Sequence, residues 1–314
     1  MSLDKFVEEL KTLKFFWVFL SLFFAFIAYF VRTYRWNLLI EPLNYSPAFS
    51  STFYSLMTGY LANFAFPRIG ELTRCISLSK KEQIPVDKLF GTVVTERIID
   101  LFSLAFLLVL LLIIKLEKFG SFLGESILKP IYHQISEYFF SPVLWIIVAS
   151  LTISGIAAYY IFRERLSSIK LIAKIKRIFK GIFEGLKTVF QMKHRWEFLI
   201  CTVLIWVLYL LMTWVLVFSV ASLSHLNIID GMFILVIGAL GMSAPVQGGI
   251  GAFHWIVSRG LATVYAISLE DGLVMATISH SSQAILTIVV GSASFFMLIR
   301  SRNKIKNAEP ILKS

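Results

Sequence analysis

The chain has 314 residues, of which 57% are hydrophobic and 16% charged, with a mean hydropathy of +0.78. A soluble domain of this length carries about a quarter charged residues, and the apolar blocks here are too long for core strands or helices, so a large soluble core is excluded. The formal charge of +11 does not point to nucleic acid, because the basic residues lie between and after apolar blocks, where anionic lipid and the positive-inside bias place them.

The first apolar block runs from Phe15 to Val31. No small-x-small cleavage site follows it; Arg32, Arg35 and Trp36 follow instead and read as interface anchors, so the block is expected to remain a membrane helix rather than a signal peptide. After a polar stretch with Pro42, Asn44 and Pro47, a second segment covers Ser50 to Phe66 and ends at Asn63 and Pro67. The third, Leu89 to Ile114, carries Glu96, Arg97 and Asp100 in its first third. A fourth covers Val143 to Phe162 and a fifth Phe198 to Val220. Ile228 to Ile299 reads either as three crossings divided near Pro245 and Glu270, or as a re-entrant pair plus one crossing.

Between the fourth and fifth segments, residues 166–192 alternate apolar and cationic positions at helical spacing. Ile175, Ile178, Phe179, Ile182, Phe183 and Leu186 form one face, with Lys174, Lys176, Arg177, Lys180 and Lys187 on the rest. That pattern predicts an amphipathic helix on the inner leaflet. The chain therefore reads as a single all-α integral membrane domain over residues 1–314, a bundle of about eight segments, with no appended soluble domain. Basic residues concentrate in Arg68 to Lys88, in Arg163 to Arg195 and after Ile299, whereas Lys115 to Glu137 balances three lysines against three glutamates. The count places both termini in the cytoplasm and the protein, multi-pass, in the cell inner membrane. It leaves Arg32 and Arg35 outside, against the rule, a violation excused if they point into the bundle or the first loop is short and buried. Cys75 and Cys201, at block edges, offer neither a disulfide framework nor metal spacing.

Two segments are broken. Met232 to Phe253 is opened by Pro245, Gln247, Gly248, Gly249 and Gly251, and Tyr60 to Arg74 by Pro67 and Gly70. Both breaks share the frame Pro-x-x-Gly, 178 residues apart. Unpaired backbone in hydrocarbon costs several kcal/mol, so such breaks survive only when buried in protein or lining a wet cavity. Interrupted hydrophobic segments are a recognised pointer to transporter binding sites, and the two breaks are expected to approach each other inside the bundle.

Four polar clusters define the candidate site. Arg68, Glu71 and Arg74 follow the first break, where a restarting helix would aim amides and cations at a phosphate or carboxylate. Glu96, Arg97 and Asp100 share a membrane helix and must be paired there; Arg68 or Arg74 is the expected partner, with a headgroup cavity or coupling proton as the other use. Gln247, Gly248, Gly249 and His254 bring an amide, open backbone and a titratable ring to the second break. Close glycine packing of helices is the alternative for that run. His280 and Gln283, three apart, can face inward, and Tyr54 and Asn63 can complete the lining. Neither a nucleophile–base pair nor a metal-ligand cluster accompanies the carboxylates, so no catalytic residues, metal or cofactor are assigned.

The motifs Arg32-x-x-Arg35-Trp36, Asn63 to Arg74 with its Pro67 and Gly70-Glu71, Glu96-Arg97-x-x-Asp100 and Pro245-x-x-Gly248-Gly249-Ile250-Gly251 occur in an order that resembles the lysylphosphatidylglycerol synthase transmembrane-region, or flippase-like, family. The resemblance implies a helical bundle that handles polar lipids, in some members aminoacylated phosphatidylglycerol. Larger members continue into a soluble aminoacyl-transferase domain that does not follow Ser314 here. Archaeal relatives are linked to sugar transfer from polyisoprenoid carriers. Where the family's glycine motif commonly reaches a glutamate, this chain has His254, which shifts the expectation from a lysyl headgroup toward an anionic or glycosylated one. The expected function is a lipid flippase or transporter acting on a membrane phospholipid or glycolipid. The alternative is a membrane transferase using a lipid-linked sugar or aminoacyl donor, with Glu71, Glu96 or Asp100 as base. A role beside a separate envelope-lipid enzyme is the remaining reading.

Overall fold

The computed structural model describes residues 13–66, 69–122, 192–244 and 246–308, with isolated positions at 124, 129 and 150; side chains at 117, 118, 121 and beyond 300 are left aside. The predicted span at Val143 to Phe162, the amphipathic helix at 166–192, Pro67, Arg68 and Pro245 lie outside the described residues. The chain forms two compact units, Met1–Leu111 with Gly185–Ser314, and Leu112–Glu184. In the second, the short helix α5 (Leu116–Phe122) stacks Phe119 on Phe122. Everything below concerns the first.

The elements of the first unit are helical: α1 (Phe15–Ile40), α2 (Phe49–Ala65), α3 (Gly70–Glu82), α4 (Val86–Ile114), α6 (Arg195–Val217), α7 (Ile228–Ser243), α8 (Ala252–Tyr265) and α9 (Leu269–Ala308). Four stretches are long and apolar enough to cross a membrane: Phe15–Leu43, Val86–Ile114, Arg195–Val217 and Leu269–Arg300. The second predicted span is instead one limb of a hairpin, because α2 stops at Ala65 and α3 turns back along it. From Ile228 onward, α7 and α8 form a second hairpin, and α9 is the described helix there that is long and apolar enough to cross. The limbs have 17, 13, 16 and 14 residues, about 20–25 Å each at 1.5 Å per residue, which is short of a hydrocarbon core about 30 Å thick.

Local chemistry explains the ends. At the first break the Asn63 side-chain oxygen accepts from the Gly70 amide at 2.7 Å, so the last turn of α2 caps the first turn of α3. Gly59 and Gly70 then let the two limbs touch backbone to backbone: a Cβ at Gly59 would lie 2.7 Å from the Gly70 carbonyl oxygen, and one at Gly70 would strike the Gly59 oxygen. Helix α7 opens with a capping box, Asn227 accepting from Ile229 and Asp230 amides while Asp230 accepts from the Asn227 amide.

Contacts at helix ends give the topology. Helix α1 starts beside Ser219, where the Lys14 amide donates to the Ser219 carbonyl, and ends beside Ile84. Tyr45 under Lys88 and Tyr34 bonded to Glu197 put the starts of α4 and α6 at that same second face. Leu298 and Ile299 of α9 line one crevice with Lys80 and Lys81 there. At the first face, Phe233 meets Tyr265 and Gly272 packs on Ser258. The chain thus traces span–hairpin–span twice, α1 to α4 and α6 to α9, in opposite directions, with the two hairpins entering from opposite faces. Lys14 and Arg300 lie at opposite faces of the described bundle, and a hairpin that enters and leaves by the same face adds no crossing.

The Gly59–Gly70 contact yields a direct test. Gly70→Ala should destabilise the protein by about 1–3 kcal/mol through overpacking, read as a lower melting temperature in detergent. Gly91→Ala on α4, where a Cβ meets nothing within 4 Å, should be neutral or stabilising by up to about 1 kcal/mol.

Candidate functional site

Helices α1, α3 and α4 each direct ionisable side chains to one buried point. Glu96 on α4 is held by three guanidiniums: Arg32 at 2.6 Å, Arg35 at 3.2 Å and Arg74 at 3.0 Å. Asp100, one turn on, pairs with Arg35 at 2.8 Å and lies 3.7 Å from Arg32. Their spacing makes this geometry: Arg32 and Arg35 are three apart on α1, Glu96 and Asp100 four apart on α4, so each pair shares a helix face. The side chains of Glu96 and Arg74 are 1% and 2% exposed and that of Arg35 is 0% exposed. Aromatic and hydroxyl groups complete the shell. Arg32 donates to the Tyr209 hydroxyl at 2.8 Å and lies 5.5 Å over the Tyr60 ring. Arg74 lies 4.7 Å over Trp36, whose indole donates to Thr92 at 2.8 Å. Arg35 donates to Thr202 at 3.4 Å.

Three guanidiniums face two carboxylates, leaving one positive charge in the cluster. The neighbouring pair, Arg97 with Glu71 at 2.8 Å, is neutral and does not change that excess. Nor are all donors used: Nε of Arg32 and Arg35, and Nε and Nη1 of Arg74, are buried with no hydrogen-bond partner.

Among the sequence candidates, Glu71, Arg74, Glu96, Arg97 and Asp100 come together here. The expected pairing with Arg74 is present, since Arg74 holds Glu96, and Arg32 and Arg35 of α1 add to it at Glu96 and Asp100. Arg32 and Arg35 are not interface anchors; they are the main cations of a buried network. A signal for them was present in the sequence, since an i,i+3 cation pair on one apolar span complements an i,i+4 carboxylate pair on another. Cys75 is buried beside Trp36 and Leu78 and packs there.

The second grouping lies where the hairpin tips meet. The Gln247 amide donates to the Phe64 carbonyl at 2.6 Å and the Ala65 carbonyl at 3.3 Å, so the two breaks touch. These acceptors lie in the last turn of α2, whose carbonyls lack intrahelical partners. Gly248 sits at φ 60°, in the left-handed region that suits glycine, and its carbonyl is 2.6 Å from Nε2 of His280 on α9. His254 on α8 packs its ring against His280, centroids 5.1 Å apart. Gly249 is buried in this turn, whereas Asn63 closes the first hairpin. Tyr54 packs with Phe53 and Met57 on a different face, and Gln283 makes no described hydrogen bond through its buried Nε2. No described hydrogen bond or ion pair joins the charged cluster to the tip grouping.

Helical spans, two hairpins meeting inside a bundle and a buried charge network define a multi-pass membrane protein. Comparison places it more closely: residues 1–291 match the family model described as the lysylphosphatidylglycerol synthase TM region, and the chain belongs to that family. It is 32% identical over 103 residues to a UPF0104 membrane protein of Methanocaldococcus jannaschii, a match covering 32% of this chain and 31% of that relative's length. No solved structure matches.

One outcome follows. Glu96→Gln leaves three buried guanidiniums with one carboxylate, and loss of a buried partner costs about 3–5 kcal/mol, so folded yield and melting temperature should fall sharply, more than for Arg97→Gln at the half-exposed pair.

Proposed function

We propose that the protein is a lipid transporter of the flippase kind, which passes a polar or anionic headgroup through the bundle while the acyl chains stay in the bilayer. The observation that carries the reading is the tip-to-tip meeting of two hairpins that enter from opposite faces within two oppositely directed span–hairpin–span halves. Inverted halves with interrupted helices at their interface are the build of many secondary transporters, with the substrate site near the midplane. Rocking of one half against the other would part the tips alternately toward either face. The family's connection with a lipid-modifying synthase supports a lipid substrate.

Orientation follows from charge. Lys80, Lys81, Lys88, Lys193, Arg195 and Arg300 collect at the second face, so the positive-inside rule makes that face cytoplasmic. Arg32 and Arg35 then lie in the cytoplasmic half and no longer break the rule. The transferase reading has less support, because a general base must be free to take a proton, and Glu71, Glu96 and Asp100 are each paired with arginine.

Purified protein in vesicles should speed exchange of fluorescent phospholipid headgroups between leaflets. With Cys75 and Cys201 replaced, Ala65→Cys with Gln247→Cys places a thiol on each tip. Disulfide or short-linker coupling of the tips should slow exchange at least about tenfold on the scale of a rate-limiting gate, and reduction of the disulfide should restore it. Equal rates with tips coupled and free would reject the alternating mechanism.

A further inference from the structure

An apolar groove of about 730 Å³ runs between α4, α6 and α7, walled by Phe102, Phe106, Leu199, Trp206, Leu210 and Leu235. Its size is that of a small-molecule site. One end abuts the charged cluster. Thr202 both lines the groove and accepts from Arg35, Phe198 lines it and carries the Arg35 guanidinium 5.9 Å above its ring, and Ile99 lines it beside Asp100. Asp100 is also the most open member of the cluster, its side chain 18% exposed against 9% or less for Arg32, Arg35, Arg74 and Glu96. Thr202 and Phe198 are thus shared between the groove and the cluster.

We propose that the groove holds an acyl chain of a phospholipid with net negative charge, whose phosphate is drawn to the arginine cluster at the groove's end; the proposal rests on the lipid-transport reading and names its substrate class. Three observations carry it. The cluster has one guanidinium more than it has carboxylates, and buried charge without a counter-ion is costly. Four guanidinium nitrogens in it are buried without a partner, and Arg is suited to paired hydrogen bonds with phosphate oxygens. The groove itself is apolar but for a few atoms, among them the buried, unpartnered indole Nε1 of Trp206. A headgroup with no net charge would leave the excess uncompensated, and a cationic one would add to it.

Selectivity should then follow the cluster's net charge rather than any one side chain. The full-length protein in nanodiscs is titrated with brominated phosphatidylglycerol or brominated phosphatidylcholine of the same chains, and quenching of tryptophan fluorescence is compared with that of Trp206→Phe. Phosphatidylglycerol should bind about tenfold more tightly, the scale of one modest charge contact. Arg74→Gln, which removes the excess, should bring the two lipids to parity. Asp100→Asn, which doubles it, should widen the preference. Arg74→Gln with Glu96→Gln restores an excess of one and should restore the preference, so an unstable single variant still leaves two informative ones.

Parity in the wild type, preference surviving Arg74→Gln, or parity in the double variant would overturn the proposal. So would quenching unchanged in Trp206→Phe, which would mean that the lipid lies elsewhere or that protein covers the groove. Displacement of the anionic lipid by inorganic phosphate with no dependence on chain length would assign the site to a free anion and overturn it too. The transport reading fails separately: selective binding without leaflet exchange rejects transport alone, and exchange without charge preference rejects this proposal alone.

Discussion

Three arginines and two carboxylates gathered where water is excluded tie the first unit together. Isolated, any one of these charges would be expensive in a membrane-spanning bundle. Combined, they fix the rotation of α1 and α4 about their axes and the depth of α3 between them, because Glu96 reaches all three arginines only in one arrangement. Arg74 cannot arrive there unless α3 folds back on α2, so the hairpin and the cluster depend on each other. The close approach at Gly59 and Gly70 is the packing half of that dependence, and the Asn63 cap is its hydrogen-bonding half.

The hairpin tips obey the same constraint in backbone terms. A helix that ends inside a membrane protein leaves carbonyls and amides that need partners. The first tip gives its Phe64 and Ala65 carbonyls to Gln247, and the second gives its Gly248 carbonyl to His280. Helix α9 serves as the common support: it meets α8 at Gly272, the second tip at His280, α1 at Thr287 and α2 at Gly291. Motion of the tips therefore has to involve α9 or break its bonds. That couples the interior of the bundle to a long span which reaches the basic face.

Charge and apolar surface meet where the groove along α4 and α6 reaches Thr202 and Phe198, which also touch Arg35. The proposed lipid transport would need such a junction, since headgroup and chain require opposite surroundings at once. Here the two surroundings are built from neighbouring residues of the same helices: Ile99 beside Asp100, and Phe198 one turn before Thr202.

The all-α membrane class, the breaks at Pro67 and Pro245 and most of the charged residues were legible in the sequence, because membrane helices must be apolar and continuous, and departures from that rule are conspicuous. The requirement that Glu96 and Asp100 be paired was legible for the same reason. The sequence alone did not determine which partners they take. Arg32 and Arg35 stand near the end of an apolar block, where interface anchoring and burial look identical; only the packing of α4 and α6 against α1 decided for burial. The number of crossings was likewise beyond local pattern, since a limb of 17 residues reads as a short span until its neighbour folds back on it. Charge counting assumes that each apolar block changes sides, which a hairpin limb does not. Sequence determined what must be hidden from lipid, and tertiary structure decided what hides it.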